Sequence, residues 1–171
     1  MFFVSCNKKD SPEVPKNTGE FVWKQNLSVN DIPDTPVKGF LNGKEVNFEY
    51  INFEIWRGSG DNVINFSSRR PKQDCGFIEN NDAFSLEKKG GEFLVGDFIK
   101  ENFDAKIDGV FSSYHYYEEG KELVKVDEQW NCVLVITEID EKTVKGKIAI
   151  CYNDKNKSWV AGTFEAVKCL N

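Results

Sequence analysis

Residues 129–152 read QWNCVLVITEIDEKTVKGKIAICY, and this stretch decides the fold. Two runs rich in Val and Ile flank a short polar break, the pattern of paired strands rather than of a helix. With Glu141-Lys142 as a two-residue turn, Asp140 faces Thr143 and Ile139 faces Val144. That register sets Val135 against Ile148 and Val133 against Ile150, so one face of the hairpin is apolar throughout. It also places Cys132 opposite Cys151 on the other face, beside Leu134 and Ala149. Directly opposed Cβ atoms lie about 4.5–5.5 Å apart, near the span of a disulfide.

The same grammar runs outward from this hairpin. A third strand, 158–168, closes the chain, and upstream the dipeptide Asn42-Gly43 joins 37–41 to a long strand over 44–56. Gly58 to Asn62 turns the chain into 63–69, and 71–82 is a loop carrying Cys75. Strands 83–88 and 92–99 flank Gly90-Gly91 as another hairpin, and 104–117 returns through 122–126. Fourteen Phe, five Tyr and four Trp against one Met fit strands better than helices. The expectation is one all-β domain over 21–171: about ten strands in an antiparallel β-sandwich or an up-and-down β-barrel. Residues 21–31 are too mixed to assign.

Beyond Cys6, four cysteines remain: Cys75, Cys132, Cys151 and Cys169. An even count in a secreted domain leaves three complete pairings. Register favours Cys132 with Cys151, which leaves Cys75 for Cys169 if the loop after Pro71 reaches the last strand.

The beginning of the chain reads as an address. Phe2, Phe3 and Val4 resemble the end of a truncated secretory signal, with Ser5 as the small residue before a cut. Phe3-Val4-Ser5-Cys6 resembles the lipobox of bacterial lipoproteins, although Phe3 stands where Leu is usual. Lys8, Lys9 and Asp10 resemble the charged start of Bacteroidetes lipoproteins. The resemblance implies a diacylated Cys6, a membrane anchor and a place in the cell envelope. Residues 7–20 carry Pro12, Pro15 and Gly19 and one large apolar residue, Val14, so they are expected to form a tether. The closing unit from Val144 to Phe164 resembles the last hairpin of small secreted β-domains in such lipoproteins, which implies fold and location but no ligand.

Charge and motif spacing exclude several chemistries. A formal net charge of −6 disfavours phosphate backbones, so no nucleic acid is expected, and Arg69-Arg70 reads as a solvated strand end. His115 is the single histidine, so any nucleophilic triad must use it. The cysteines lack the paired spacing of a zinc site. Asp154 to Glu165 has the oxygen spacing of a calcium loop, but Trp159 stands where such a loop needs Gly. No cofactor or metal is expected.

Aromatic residues are the remaining lead. Trp56, Trp130 and Trp159 at strand ends, with Tyr114, Tyr116 and Tyr117 near a turn, could form a platform for a glycan, a peptide or an apolar ligand. Burial in the core is the competing reading. Three functions follow: a non-enzymatic, envelope-anchored binding protein, an assembly partner in an envelope complex, or a hydrolase using His115. Exposed aromatics around a groove favour the first, a flat apolar patch the second, and an acid or nucleophile about 3 Å from His115 the third.

Overall fold

The computed structural model describes residues 20–170; Cys6, the signal remnant and nearly all of the tether lie outside the described residues. The described chain is all-β, a strongly curled sheet that forms a half-barrel. Its strands are β1 Lys38–Leu41, β2 Lys44–Asn47, β3 Tyr50–Trp56, β4 Asp61–Ser67, β5 Ala83–Lys88, β6 Gly96–Lys100, β7 Val110–Tyr116, β8 Val124–Val126, β9 Trp130–Ile139, β10 Thr143–Tyr152 and β11 Trp159–Leu170. Across the sheet they run β6-β9-β10-β11-β3-β4-β5-β7-β8, with the β1–β2 hairpin attached to β11.

The concave side holds the main core. Phe66 lies between Phe84 at 5.0 Å and Phe164 at 5.3 Å, and Tyr114 meets Tyr152 edge-on at 5.0 Å. Inward residues of β9 and β10, Cys132, Leu134, Ile136, Ile148 and Ile150, join them. On the convex side of β9–β11, Phe21, Leu27 and Ile32 cover Val133, Ala149, Cys151 and Ala161. Both faces of this hairpin are therefore buried, which is why its sequence is apolar almost without alternation.

Four expectations are corrected. First, the sheet is not purely antiparallel, because β11 outruns β1. Its first part pairs with Lys38–Phe40, and its last part runs parallel to β3 from Val167↔Asn52 to Leu170↔Ile55. Gly162 marks the handover: at φ +136°, a Cβ there would lie 2.5 Å from the Val37 Cα. Second, the strand over 44–56 breaks at Phe48-Glu49, where Phe48 packs edge-on against Phe66 at 5.7 Å. Third, strands flanking Gly90-Gly91 do not pair with each other. Lys89 N–H binds the Gly109 carbonyl instead, β5 pairs with β7, and β6 crosses to β9.

The fourth correction concerns the cysteines. The Asp140–Thr143 turn forms as expected, and Lys145 faces Glu138. Gly146, however, faces Ile136, so Thr137 is an extra residue and the ladder slips by one. Gly146 permits the bulge, since a Cβ there would meet the Val135 carbonyl oxygen at 2.4 Å. Beyond it Cys132 faces Ile150 and Cys151 faces Asn131. A slip of one exchanges faces: Cys132 enters the concave core and Cys151 the convex one, and both are free thiols. Cys75 and Cys169 form the disulfide, with Cα atoms 5.6 Å apart.

Candidate functional site

The convex face of β3, β4, β5 and β7 lies outside the Phe21–Ile32 cover. Strand alternation places polar side chains there: Asn52 and Glu54 on β3, Asn65 and Ser67 on β4, His115 on β7. The loop 71–82 arches over this floor and is pinned at several points. Cys75 is bonded to Cys169 on β11, and its N–H donates to the Tyr50 hydroxyl at 2.7 Å. Asn81 Nδ2 donates to Ser67 Oγ at 2.6 Å, and Asp82 N–H to Ser68 Oγ at 3.0 Å. Between floor and loop lies a groove of about 510 Å³, with Phe77, Ile78 and Leu123 on its walls.

Its polar groups are held in place by one another. Asn52 and Asn65 are direct cross-strand neighbours, and both donate from Nδ2 to Glu54 Oε1, at 2.8 and 3.1 Å. Trp56 Nε1 donates to Glu54 Oε2 at 2.6 Å. The Oδ1 atoms of both asparagines accept no hydrogen bond from the described residues; Asn52 is buried, Asn65 half-buried, and both line the groove. Two amide oxygens without a partner thus stand beside a carboxylate in the lining of the groove, chemistry suited to hydroxyl or amide donors.

His115 is half-buried at the far end of this floor. Its Nε2 lies 3.3 Å from Asn81 Oδ1. Burial lowers its pKa below the ordinary imidazole range, opposed by the Asp82 charge and assisted by Lys125. The ring is neutral at pH 7 and, with the proton assigned to Nε2, donates to Asn81. Its hydrogen-bond partner is an amide, which neither takes nor supplies a proton. A Ser-His relay needs the hydroxyl on the histidine; here Ser67 is hydrogen-bonded to Asn81 instead.

Of the six aromatics expected to form a platform, the structure gathers none into one. Tyr114 is buried in the concave core and donates to Asp154 Oδ2 at 2.6 Å. Trp130 is buried under the Lys100 ammonium, whose Nζ stands 5.1 Å from the ring. Trp159 packs against Phe21 in a tilted pair with ring centroids 5.1 Å apart, and Tyr116 and Tyr117 are half-buried. Trp56, 40% exposed, is joined to the floor by its hydrogen bond to Glu54.

The cysteines and acids are equally committed. Burial pushes the Cys151 thiol up to about 12 and the Cys132 thiol further, so both stay protonated and inert. Asp154, the first residue of the calcium-like spacing, is buried and accepts from Ser158 N–H at 2.7 Å as well as from Tyr114. Among the described residues no three His, Cys, Asp or Glu groups come together to hold a metal.

Sequence reasoning missed Asn52, Glu54, Asn65, Ser67, Asn81 and Phe77. A signal for four of them was present: β3 and β4 alternate apolar residues with Asn52/Glu54 and Asn65/Ser67, and aligning those polar faces marks the floor. No helix among the described residues is long and apolar enough to cross a membrane. No known protein family, curated protein or solved structure matches the chain.

Proposed function

We propose that this protein is a non-enzymatic lipoprotein, anchored to the cell envelope through Cys6, whose β-domain binds a glycan in the stapled groove. The observation that carries the reading is the Asn52–Glu54–Asn65 cluster in the groove lining, fixed by its own hydrogen bonds and with two amide oxygens that accept none from the described residues. Sugars present vicinal hydroxyls to such preorganised acceptors and apolar C–H faces to rings such as Phe77, which is 85% exposed on the groove wall.

Two other ligand classes fit less well. An extended peptide adds to a sheet through the backbone of an edge strand, whereas this groove sits on the face of β3 and β4, both of which are paired on each side. A small apolar ligand needs an empty interior, and the concave side is filled by Phe66, Phe84, Phe164 and Tyr152. The test is a glycan panel probed with the soluble domain, followed by Asn65→Ala and Phe77→Ala. Loss of a bound glycan in both variants, with an unchanged melting temperature, supports the reading; no bound member refutes it.

A second reading, an assembly partner, draws on one observation. Leu94, Val95 and Ile99 are exposed beside and on β6, a strand at the end of the sheet.

A further inference from the structure

The loop that roofs the groove also borders a second concavity. On its far side Arg69, Arg70 and Lys72 line a space of about 540 Å³. The two concavities share Gly76, Phe77, Ile78 and Glu79, so they are the two flanks of one ridge. The chain carries 28 acidic against 22 basic side chains, which makes three cations within four positions a local reversal of sign. Lys24, Lys38, Lys89, Lys121, Lys125, Lys145 and Lys147 all have acidic partners. Among the described residues Arg69, Arg70 and Lys72 enter no ion pair, as is true of other cations such as Arg57, Lys106 and Lys155; what joins these three is the concavity they line together.

We propose that the ligand is an acidic glycan, bearing carboxylate or sulfate groups. Its sugar ring lies over Asn52 and Asn65, and its anion crosses the Phe77 ridge to Arg69, Arg70 and Lys72. This inference rests on the glycan reading above and narrows it. Guanidinium forks match planar carboxylates and sulfates with two parallel hydrogen bonds, and Lys72 adds a third donor group. Glu79 on the shared wall offsets one of the three charges. Among the lining residues the excess is positive, although Asp74 and Asp82 in the same loop balance the segment as a whole, so attraction of an acidic ligand is short-range and confined to this concavity. Neutral saccharides gain nothing from it.

The experiment titrates matched pairs by calorimetry at low and high salt: an oligogalacturonate and its methyl ester, and a sulfated glycan and its desulfated form. It uses the wild-type chain, the triple variant Arg69→Gln/Arg70→Gln/Lys72→Gln, and the groove variant Asn65→Ala/Phe77→Ala. Tighter binding of an acidic member by about tenfold or more, lost in the triple variant and reduced by salt, is the expected result. Equal binding of acidic and neutral members, unchanged by the triple variant, overturns the acidic class and leaves the groove reading standing. Binding of no member removes both. Acidic binding that survives the groove variant overturns the two-part site and reduces the cations to an unspecific patch. The substituted cations are exposed, and an unchanged thermal melt of each variant separates lost binding from lost fold.

Discussion

Replacing both bonded cysteines, Cys75→Ala/Cys169→Ala, tests the link between the fold and the groove. The bridge closes a separation of 94 residues. Confining a loop of that size in the unfolded chain stabilises the native state by about 4–5 kcal/mol at 25 °C on the chain-entropy account, and measured bridges usually deliver somewhat less. A loss of about 3–5 kcal/mol is therefore expected. With a urea dependence of about 2 kcal/mol per molar for a domain of this size, the unfolding midpoint should fall by roughly 1.5–2.5 M. Reduction of the wild-type protein by dithiothreitol should reproduce that shift, since the other two thiols are already free. The groove should weaken further than the core. Without the bridge, the 71–82 loop keeps the Cys75–Tyr50, Asn81–Ser67 and Asp82–Ser68 hydrogen bonds but is no longer tied to β11. On the proposed glycan reading, affinity should drop by more than the stability change alone explains when both are measured well below the midpoint. A midpoint shift under about 0.3 M would refute the entropic argument, and undiminished glycan binding would show that the loop does not shape the site.

Four further outcomes are expected. Gly146→Ala forces a Cβ against the Val135 carbonyl oxygen and should cost about 2–3 kcal/mol in urea unfolding; an unchanged midpoint would mean that the bulge relaxes freely. His115 has a folded-state pKa lowered by burial, so as pH falls below about 6.5 the unfolded chain takes up a proton that the folded chain resists. Stability should decline from pH 7 toward pH 5, and His115→Gln should flatten that slope in melts recorded across the range. Phe21→Ala should destabilise by about 3 kcal/mol, because Phe21 is buried against Trp159, while a chain beginning at Glu20 should melt with the longer one; a lower melt for the shorter chain would show that the tether packs. On the proposed lipoprotein reading, Cys6→Ser should abolish palmitate labelling of the protein in cells, and persistent labelling would remove that reading.

Local pairing was legible in the sequence, and long-range arrangement was not. The Asn42-Gly43 and Glu141-Lys142 turns stand where their residues placed them, because a two-residue turn fixes its own register from adjacent side chains. The partner of β6 lay outside such reasoning. Gly90-Gly91 signals a turn but not which strand the chain meets next, and that choice is made by apolar surfaces dozens of residues apart. The bulge at Thr137 was equally silent: a Gly within a strand hints at one, yet the apolar pattern of β9 and β10 fits either register because both faces are buried. At the groove, aromatics drew attention while amides make up much of its polar lining. Tyr114 and Trp130 went to the interior, as large rings generally do, and Asn52 and Asn65 acquired meaning only once β3 and β4 were seen side by side.

The slip at Thr137 also governs which covalent isomer survives oxidation. Cys132 and Cys151 are about 20 residues apart, against 94 for the native pair. In an unfolded chain the shorter loop closes more readily by about 1.4 kcal/mol, roughly tenfold. Random encounter therefore favours Cys132–Cys151, and Cys151–Cys169 at about 18 residues as well, over the native pair. Once the hairpin zips past Gly146, the two thiols lie on opposite sides of one sheet, and no rotamer brings the sulfurs together. A chain oxidised before folding must break the Cys132–Cys151 link by thiol exchange before β9 and β10 reach their native register. One surplus residue in a strand thus acts as a proofreader of disulfide pairing.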